Sequence, residues 1–274
     1  MTVSPVIARV KVIKVQKRGE KFFQLTVKVP PLSSSAWADP GTFAKLRAWD
    51  APPTGAPFLD IPLSIHRFRP QEEELDFLIR PVGPGTLALT KVEPGTEIRL
   101  TGPLGRGLAH QDPNFPTKPF YLVAGGVGLA PMANLLDSLR GPATLFYGEK
   151  SGAALIDEAY LKSFAPNYLA SAEDGLGYGR KGLVTSLLTA ALNQEKRDLF
   201  ACGPPGLLAA LAPIADNHQI RYFAAAEAFM ACGLGVCLTC SRPLKDPKVT
   251  AKPRIRLCVE GPVVDGLALD WIKS

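Results

Sequence analysis

The chain has 274 residues, enough for two or three domains. Hydrophobic residues make up 46% and charged residues 20%, a globular balance that excludes wholesale disorder. Lysine and arginine number 31 against 25 acidic residues, a net charge of +6 without a basic stripe interleaved with aromatics, which argues against nucleic-acid binding.

Residues 6–15 alternate in polarity, with Val6, Ala8, Val10 and Val12 on one face, and predict a strand. Residues 22–29, closed by Pro30-Pro31, predict a second, and 43–49 and 75–80 predict two more. Asp39-Pro40-Gly41, Gly83-Pro84-Gly85 and Glu93-Pro94-Gly95 are turn signals between them. Short strands this closely spaced predict a small barrel or sandwich. The polar stretch 67–74 reads as an exposed hairpin end. The N-terminus has no continuous apolar core of a signal peptide, and no run of 18 apolar residues exists to span a membrane. The expectation is a cytoplasmic protein whose cysteines are reduced.

Past Gln111-Asp112-Pro113-Asn114 the rhythm changes. A buried strand at 120–124 runs into Gly125-Gly126-Val127-Gly128-Leu129-Ala130-Pro131 and then a helical pattern to Arg140. Strands at 143–147 and 199–202 and helices at 183–192 and 205–216 follow. Alternating strands and helices predict a parallel, doubly wound sheet. Gly126 and Gly128, with Pro131 at the first helical position, read as a phosphate-binding turn or as a purely structural glycine turn. Cys202-Gly203-Pro204-Pro205 closes a second strand in the same way, so both loops should face one crevice. Cys202 there either touches a nicotinamide or is a small buried residue. Glu149, at the end of the 143–147 strand, suits a ribose 2′-hydroxyl and points to NADH over NADPH, with Lys150 pulling the other way.

Four of the five cysteines lie between Cys232 and Cys258. The spacing Cys232-x4-Cys237-x2-Cys240-x17-Cys258 is the plant-type arrangement for a 2Fe–2S cluster. Gly233 and Gly235 permit the tight backbone path such a loop needs. Zinc is the alternative, but Cys258 lacks a partner knuckle. The segment 241–257 carries Arg242, Lys245, Lys248, Lys252, Arg254 and Arg256. It reads as a solvated hairpin, or as charge balance for an anionic cluster or a docking surface.

Taken in order, these motifs resemble the ferredoxin–NADP reductase superfamily, and within it the dihydroorotate dehydrogenase electron transfer subunits. The residues that carry the resemblance are Pro40-Gly41-Thr42-Phe43, Ile61-Pro62-Leu63-Ser64-Ile65, Gly83-Pro84-Gly85-Thr86, Gly102-Pro103-Leu104-Gly105, the 126–131 turn and Cys202-Gly203-Pro204. Glu173-Asp174-Gly175, Lys181-Gly182-Leu183-Val184-Thr185, the run from Glu227 to Cys240 and Cys258 to Asp265 complete it.

The resemblance implies three parts: an N-terminal antiparallel β-barrel holding FAD (1–112), a central α/β parallel-sheet domain holding NAD (113–222) and a small C-terminal 2Fe–2S module (223–274). It also implies a partner, the FMN-containing catalytic subunit of dihydroorotate dehydrogenase, in a heterotetramer, with no nucleic acid and no membrane. By carry-over Pro62, Leu63, Ser64 and Ile65 line the flavin, with Ser64 near its reactive nitrogen. Thr86 and the Gly83 and Gly85 backbone would meet its phosphates or ring. Ile61 stands where the family carries an arginine that pairs with a flavin phosphate; Arg67, Arg80 or Arg106 would have to replace it, and Ile61→Arg should tighten flavin binding. Two other readings keep the same residues: the small subunit of an NADH-dependent ferredoxin–NADP or sulfide oxidoreductase, and a zinc-stabilised nucleotide-binding sensor.

Overall fold

The computed structural model describes residues 5–29, 37–49, 59–112, 114–245 and 253–272. Strands β1 (Val6–Lys17), β2 (Phe23–Lys28), β3 (Phe43–Arg47), β4 (Ile61–Arg69), β5 (Glu74–Ile79) and β6 (Glu97–Leu104) close a barrel in the order β1-β2-β5-β4-β3-β6. All its pairings are antiparallel. The alternation seen in sequence sends Val10, Val12, Leu25, Val27, Ile65, Phe77, Ile79, Ile98 and Leu100 inward, and closure removes every free edge.

Three local expectations change. β4 runs on to Arg69, so 67–69 are strand and not hairpin end. There Arg69 bonds Glu74 and Asp76, and Arg67 makes a two-pronged pair with Asp137 at 2.5 and 2.6 Å. The Gly83–Thr86 turn is the start of helix α1 (Pro84–Thr90), because the Thr86 hydroxyl accepts from the Val82 and Gly83 N–H groups and caps it. Gly102-Pro103-Leu104 continues β6, and the chain turns only at Gly105, whose φ is +80°.

After the short helix α2 (Leu108–Gln111), strands β7 (Phe120–Gly125), β8 (Ala143–Glu149), β9 (Tyr168–Ala172), β10 (Arg180–Lys181), β11 (Asp198–Cys202) and β12 (Tyr222–Ala225) pair in parallel. Helices α3 (Met132–Ser138), α4 (Glu158–Phe164), α5 (Val184–Leu192) and α6 (Pro205–His218) cover the sheet. The C-terminal segment adds a hairpin of β13 (Ser241–Pro243) and β14 (Arg254–Arg256), then β15 (Val263–Asp265), which pairs antiparallel with β12. The sheet order is β10-β9-β8-β7-β11-β12-β15. Among the described residues no helix is long and apolar enough to cross a membrane.

β7 shows why its sequence is one unbroken apolar run. Phe120, Leu122 and Ala124 enter the core with α3 and α4, while Tyr121 and Val123 enter the core with α5 and α6. The barrel joins both cores: Phe22, Leu78 and Leu108 pack in the first, Phe43 and Leu104 in the second. The strand order reverses at β7 and β11, and the carboxyl ends of these two strands form the crevice where parallel sheets bind ligands.

Candidate functional site

At that crevice the two glycine loops cross in contact. The backbone of Gly126–Leu129 forms a single 3-10 turn, and α3 begins only at Met132, with Pro131 as its N-cap and not its first residue. A Cβ on Gly128 would lie 2.0 Å from the Cys202 carbonyl oxygen, and one on Gly125 3.0 Å from Pro204 Cδ. Side chains are excluded there because the backbones themselves touch. Gly126, at φ +58°, packs against the Arg80–Glu149 pair, a Cβ there lying 3.2 Å from Arg80 Nη1 and 3.8 Å from Glu149 Oε1. Gly126, Gly128, Pro131, Gly203 and Pro204 are thus brought together, and a bare backbone turn at a strand end is the donor set a pyrophosphate requires.

Cys202 is 2% exposed and packs with Leu129, Phe200 and Ala225. Burial pushes its thiol pKa well up, so it stays protonated. It is a small buried residue at the carboxyl end of β11. Glu227, two residues past β12, stands near enough to act on its charge. Glu149 is also buried, and its oxygens accept from Arg80 at 3.0 and 3.1 Å and from the Tyr147 hydroxyl at 3.1 Å. Burial raises its pKa against the pull of Arg80. The carboxylate joins the end of β5 to the end of β8 and lies beside Gly126 of the glycine turn. Alternation of charge in one strand could not reveal a partner 69 residues away.

On the barrel, register settles which residues share a face. Ser64 lies opposite Phe43 and Pro62 opposite Lys45, whereas Leu63 and Ile61 lie opposite Ala44 and Leu46. Ala44, Leu46 and Ile65 are core residues, and Ile61 and Leu63 pack against that core. Ile61→Arg would therefore drive a guanidinium toward the barrel interior, and the expected gain in flavin affinity is withdrawn. Arg67 and Arg80 are committed to Asp137 and Glu149, and Arg106 contacts His110 at 2.9 Å. Near position 61 the guanidiniums are Arg47 and Arg99, which meet on Asp60 at 2.5 and 2.7 Å. Ser64 and Pro62 are half-buried on the opposite face. Gly83 has nothing within 4 Å of a Cβ, leaving open space before the capped turn, so the residues present leave room for a flavin along β4 and α1. Thr86 itself is a capping residue, its hydroxyl occupied by the local backbone.

His66 ties this strand to the crevice. Its Nδ1 donates to the Ala130 carbonyl at 2.6 Å, so Nε2 accepts from the Tyr160 hydroxyl at 2.8 Å. Burial lowers its pKa.

The loop after β12 carries the thiols. Gly233, Gly235 and Leu238 take φ of +73°, +80° and +62°, the sharp turns expected of a loop wound around a compact group. The N–H groups of Leu234 and Cys237 point at Cys232 Sγ at 3.3 and 3.5 Å, and the Thr239 hydroxyl donates to Cys237 Sγ at 3.1 Å. The Thr239 hydroxyl first, and then Cys232, bring the exposed Cys237 thiol down to about 6. Thr239 was legible in sequence only as a small residue. Cys258 pairs instead with Cys240, and both are buried; burial and then Cys240 push Cys258 up to about 12. The thiols thus come as two pairs, Cys232 with Cys237 and Cys240 with Cys258.

The basic segment is partly internal bracing. Arg242 bonds the Glu227 carbonyl, Arg254 bonds Ser241, and Arg256 bonds Glu260 and the Gly235 carbonyl. Lys248 and Lys252 lie outside the described residues. Lys45, which sequence reading passed over, is 5% exposed and donates to the Ala231 carbonyl and, at 3.4 Å, to that of Cys232. Beside it the Arg106 N–H meets the Gly261 carbonyl at 2.5 Å. Barrel and cysteine loop are therefore in direct contact.

Residues 227–270 match the family described as the iron-sulfur cluster binding domain of dihydroorotate dehydrogenase B. The chain is 35% identical over 84% of its length to 85% of the dihydroorotate dehydrogenase B (NAD(+)) electron transfer subunit of Clostridium acetobutylicum. It is 29% identical to the protein of that name from Listeria monocytogenes, covering 92% of this chain and 94% of that one. Among solved structures, an NADH-dependent reduced ferredoxin-NADP oxidoreductase superposes with a TM-score of 0.78 at 24% identity, covering 97% of this chain and 91% of the other, a likeness of fold.

Proposed function

The chain belongs to the family of dihydroorotate dehydrogenase B electron transfer subunits, and we propose that it acts as one. It passes electrons between NAD(H), FAD and a 2Fe–2S cluster, and exchanges them with the flavin of a dihydroorotate dehydrogenase catalytic subunit, in pyrimidine biosynthesis in the cytoplasm. In this reading 1–112 is the FAD module, 113–222 the NAD module and 223–274 the cluster module. When bound, the flavin exchanges an electron pair with the nicotinamide and single electrons with the cluster.

The protein's own residues supply the placement. Gly126, Gly128, Gly203 and Pro204 present bare backbone to the dinucleotide. Pro62 and Ser64 offer the outer face of β4 to the flavin ring. Cys232 and Cys237 would hold one iron, Cys240 and Cys258 the other. The observation that carries the reading is the shared face of β3 and β4. Phe43, opposite Ser64, lies in the same core as Cys240 and Cys258, and Lys45, opposite Pro62, bonds the carbonyls of Ala231 and Cys232, so the strand paired with β4 touches the cysteine loop directly. Val236 and Leu238, the chain neighbours of exposed Cys237, are exposed apolar residues, as is Phe229 ahead of the loop, and such surface suits a partner protein.

The test is anaerobic purification with the partner subunit co-expressed. About two irons, two labile sulfides and one FAD per chain, with the catalytic subunit retained, are expected. Stoichiometric zinc without sulfide would overturn the cluster. Retention of a ferredoxin-linked partner in place of dihydroorotate dehydrogenase would keep the cofactors and replace the physiological role.

A further inference from the structure

A buried lysine is costly unless its charge has a purpose or a partner. Lys45 sits on β3 with its side chain on the Phe43 and Ser64 face. Its ammonium reaches out of the barrel and donates to the carbonyls of Ala231 and Cys232. On the barrel side the nearby carboxylate of Asp60 is already held by Arg47 and Arg99. The loop is shaped to receive the lysine stem. Gly233 has a φ of +73°, and a Cβ there would lie 2.8 Å from Lys45 Cδ and 3.2 Å from Leu104 Cδ1. Glycine is needed at 233 twice over, for its backbone and for the room it leaves.

We propose that Lys45 is a positioning residue for the cluster, anchoring the Ala231–Cys232 peptides to the flavin barrel and raising the cluster's reduction potential with its charge. This rests on the cluster reading above. Two ferric ions, two sulfides and four thiolates carry a net charge of −2, and one added electron makes it −3. A fixed cation stabilises the second state more than the first, and in a buried setting the effect is weakly screened. The same ammonium holds the loop at a set distance from the strand that faces the flavin, so one side chain links the spacing of the two centres to the driving force between them.

The experiment compares wild type with Lys45→Met, Lys45→Gln and Lys45→Arg. Each is assayed for iron and sulfide, and the cluster midpoint is measured by EPR-monitored redox titration, with the flavin midpoint as internal control. Lys45→Met and Lys45→Gln should retain iron and sulfide, and their cluster reduction equilibrium should become at least about threefold less favourable, roughly 28 mV for one electron. Lys45→Arg should stay near wild type. Loss of the cluster from Met and Gln with retention in Arg supports the same role. An unchanged midpoint in Lys45→Met, or loss of the cluster from all three, overturns it. Wild type without sulfide would instead overturn the cluster reading, so the two failures are distinct.

Discussion

A buried imidazole has to settle which nitrogen carries its proton, and the neighbours of His66 settle it. The Ala130 carbonyl can only accept, so Nδ1 is protonated and Nε2 is left to Tyr160. A second proton would put a charge where burial keeps solvent away, which is why the pKa is lowered from its usual 6.5. Between the lowered value and 6.5 the unfolded chain binds a proton that the folded chain refuses. Stability from His66 is therefore full above about pH 6.5 and declines as pH falls below it. We expect urea unfolding to show a loss of stability between pH 7 and 5.5, and His66→Gln to show a shallower loss over that interval. Equal slopes for the two proteins would mean that other groups carry the pH dependence.

Elements bring together what residues alone cannot. The turn after β7 and the loop after β11 each look like an isolated glycine motif in sequence, and the parallel pairing of Ala124 with Cys202 forces them into contact. A methyl on Gly128 would sit 2.0 Å from the Cys202 carbonyl and 2.6 Å from the Gly203 nitrogen, distances that no local shift of one atom relieves. Gly206, in the first turn of α6, has nothing within 4 Å of its Cβ position. Gly128→Ala should cost about 3 kcal/mol or more and abolish flavin reduction by NADH. Gly206→Ala should stabilise by about 0.5–1 kcal/mol, since it removes a helical glycine, and keep that activity. Thermal unfolding and stopped-flow flavin reduction check both. Helices α1 and α4 and strand β9 are elements of five to seven residues, too short to be stable alone and held by what they pack against.

Over the whole molecule, the barrel has a core of its own and also enters both cores of the sheet. Barrel residues Phe22 and Leu78 pack with α3 and α4, barrel residues Phe43 and Leu104 pack with Met230 and Cys240, and β15 covers the edge of β12. Barrel, sheet and cysteine loop thus share buried apolar surface. The expectation is a single cooperative transition in denaturant, with flavin fluorescence, cluster absorbance and far-ultraviolet dichroism coinciding. Well-separated midpoints for flavin and cluster would show independently stable modules.

Whatever depends on period and spacing is legible along the chain. Alternation marked the barrel strands, the apolar run at 120–124 marked a buried strand, and Cys232-x4-Cys237-x2-Cys240 marked a ligand loop. These are local, because a strand's alternation and a loop's turns are set by neighbours along the chain. Partners across the fold were settled by packing alone. Register turned Ile61 toward the barrel interior and Ser64 away from it. Closure of the barrel against the sheet gave Glu149 to Arg80, and the cysteine loop folded back onto β3 to take Lys45. Each of these joins residues far apart in the chain, and nothing in a local pattern states which of many compatible charges or faces will be opposite once the strands are paired.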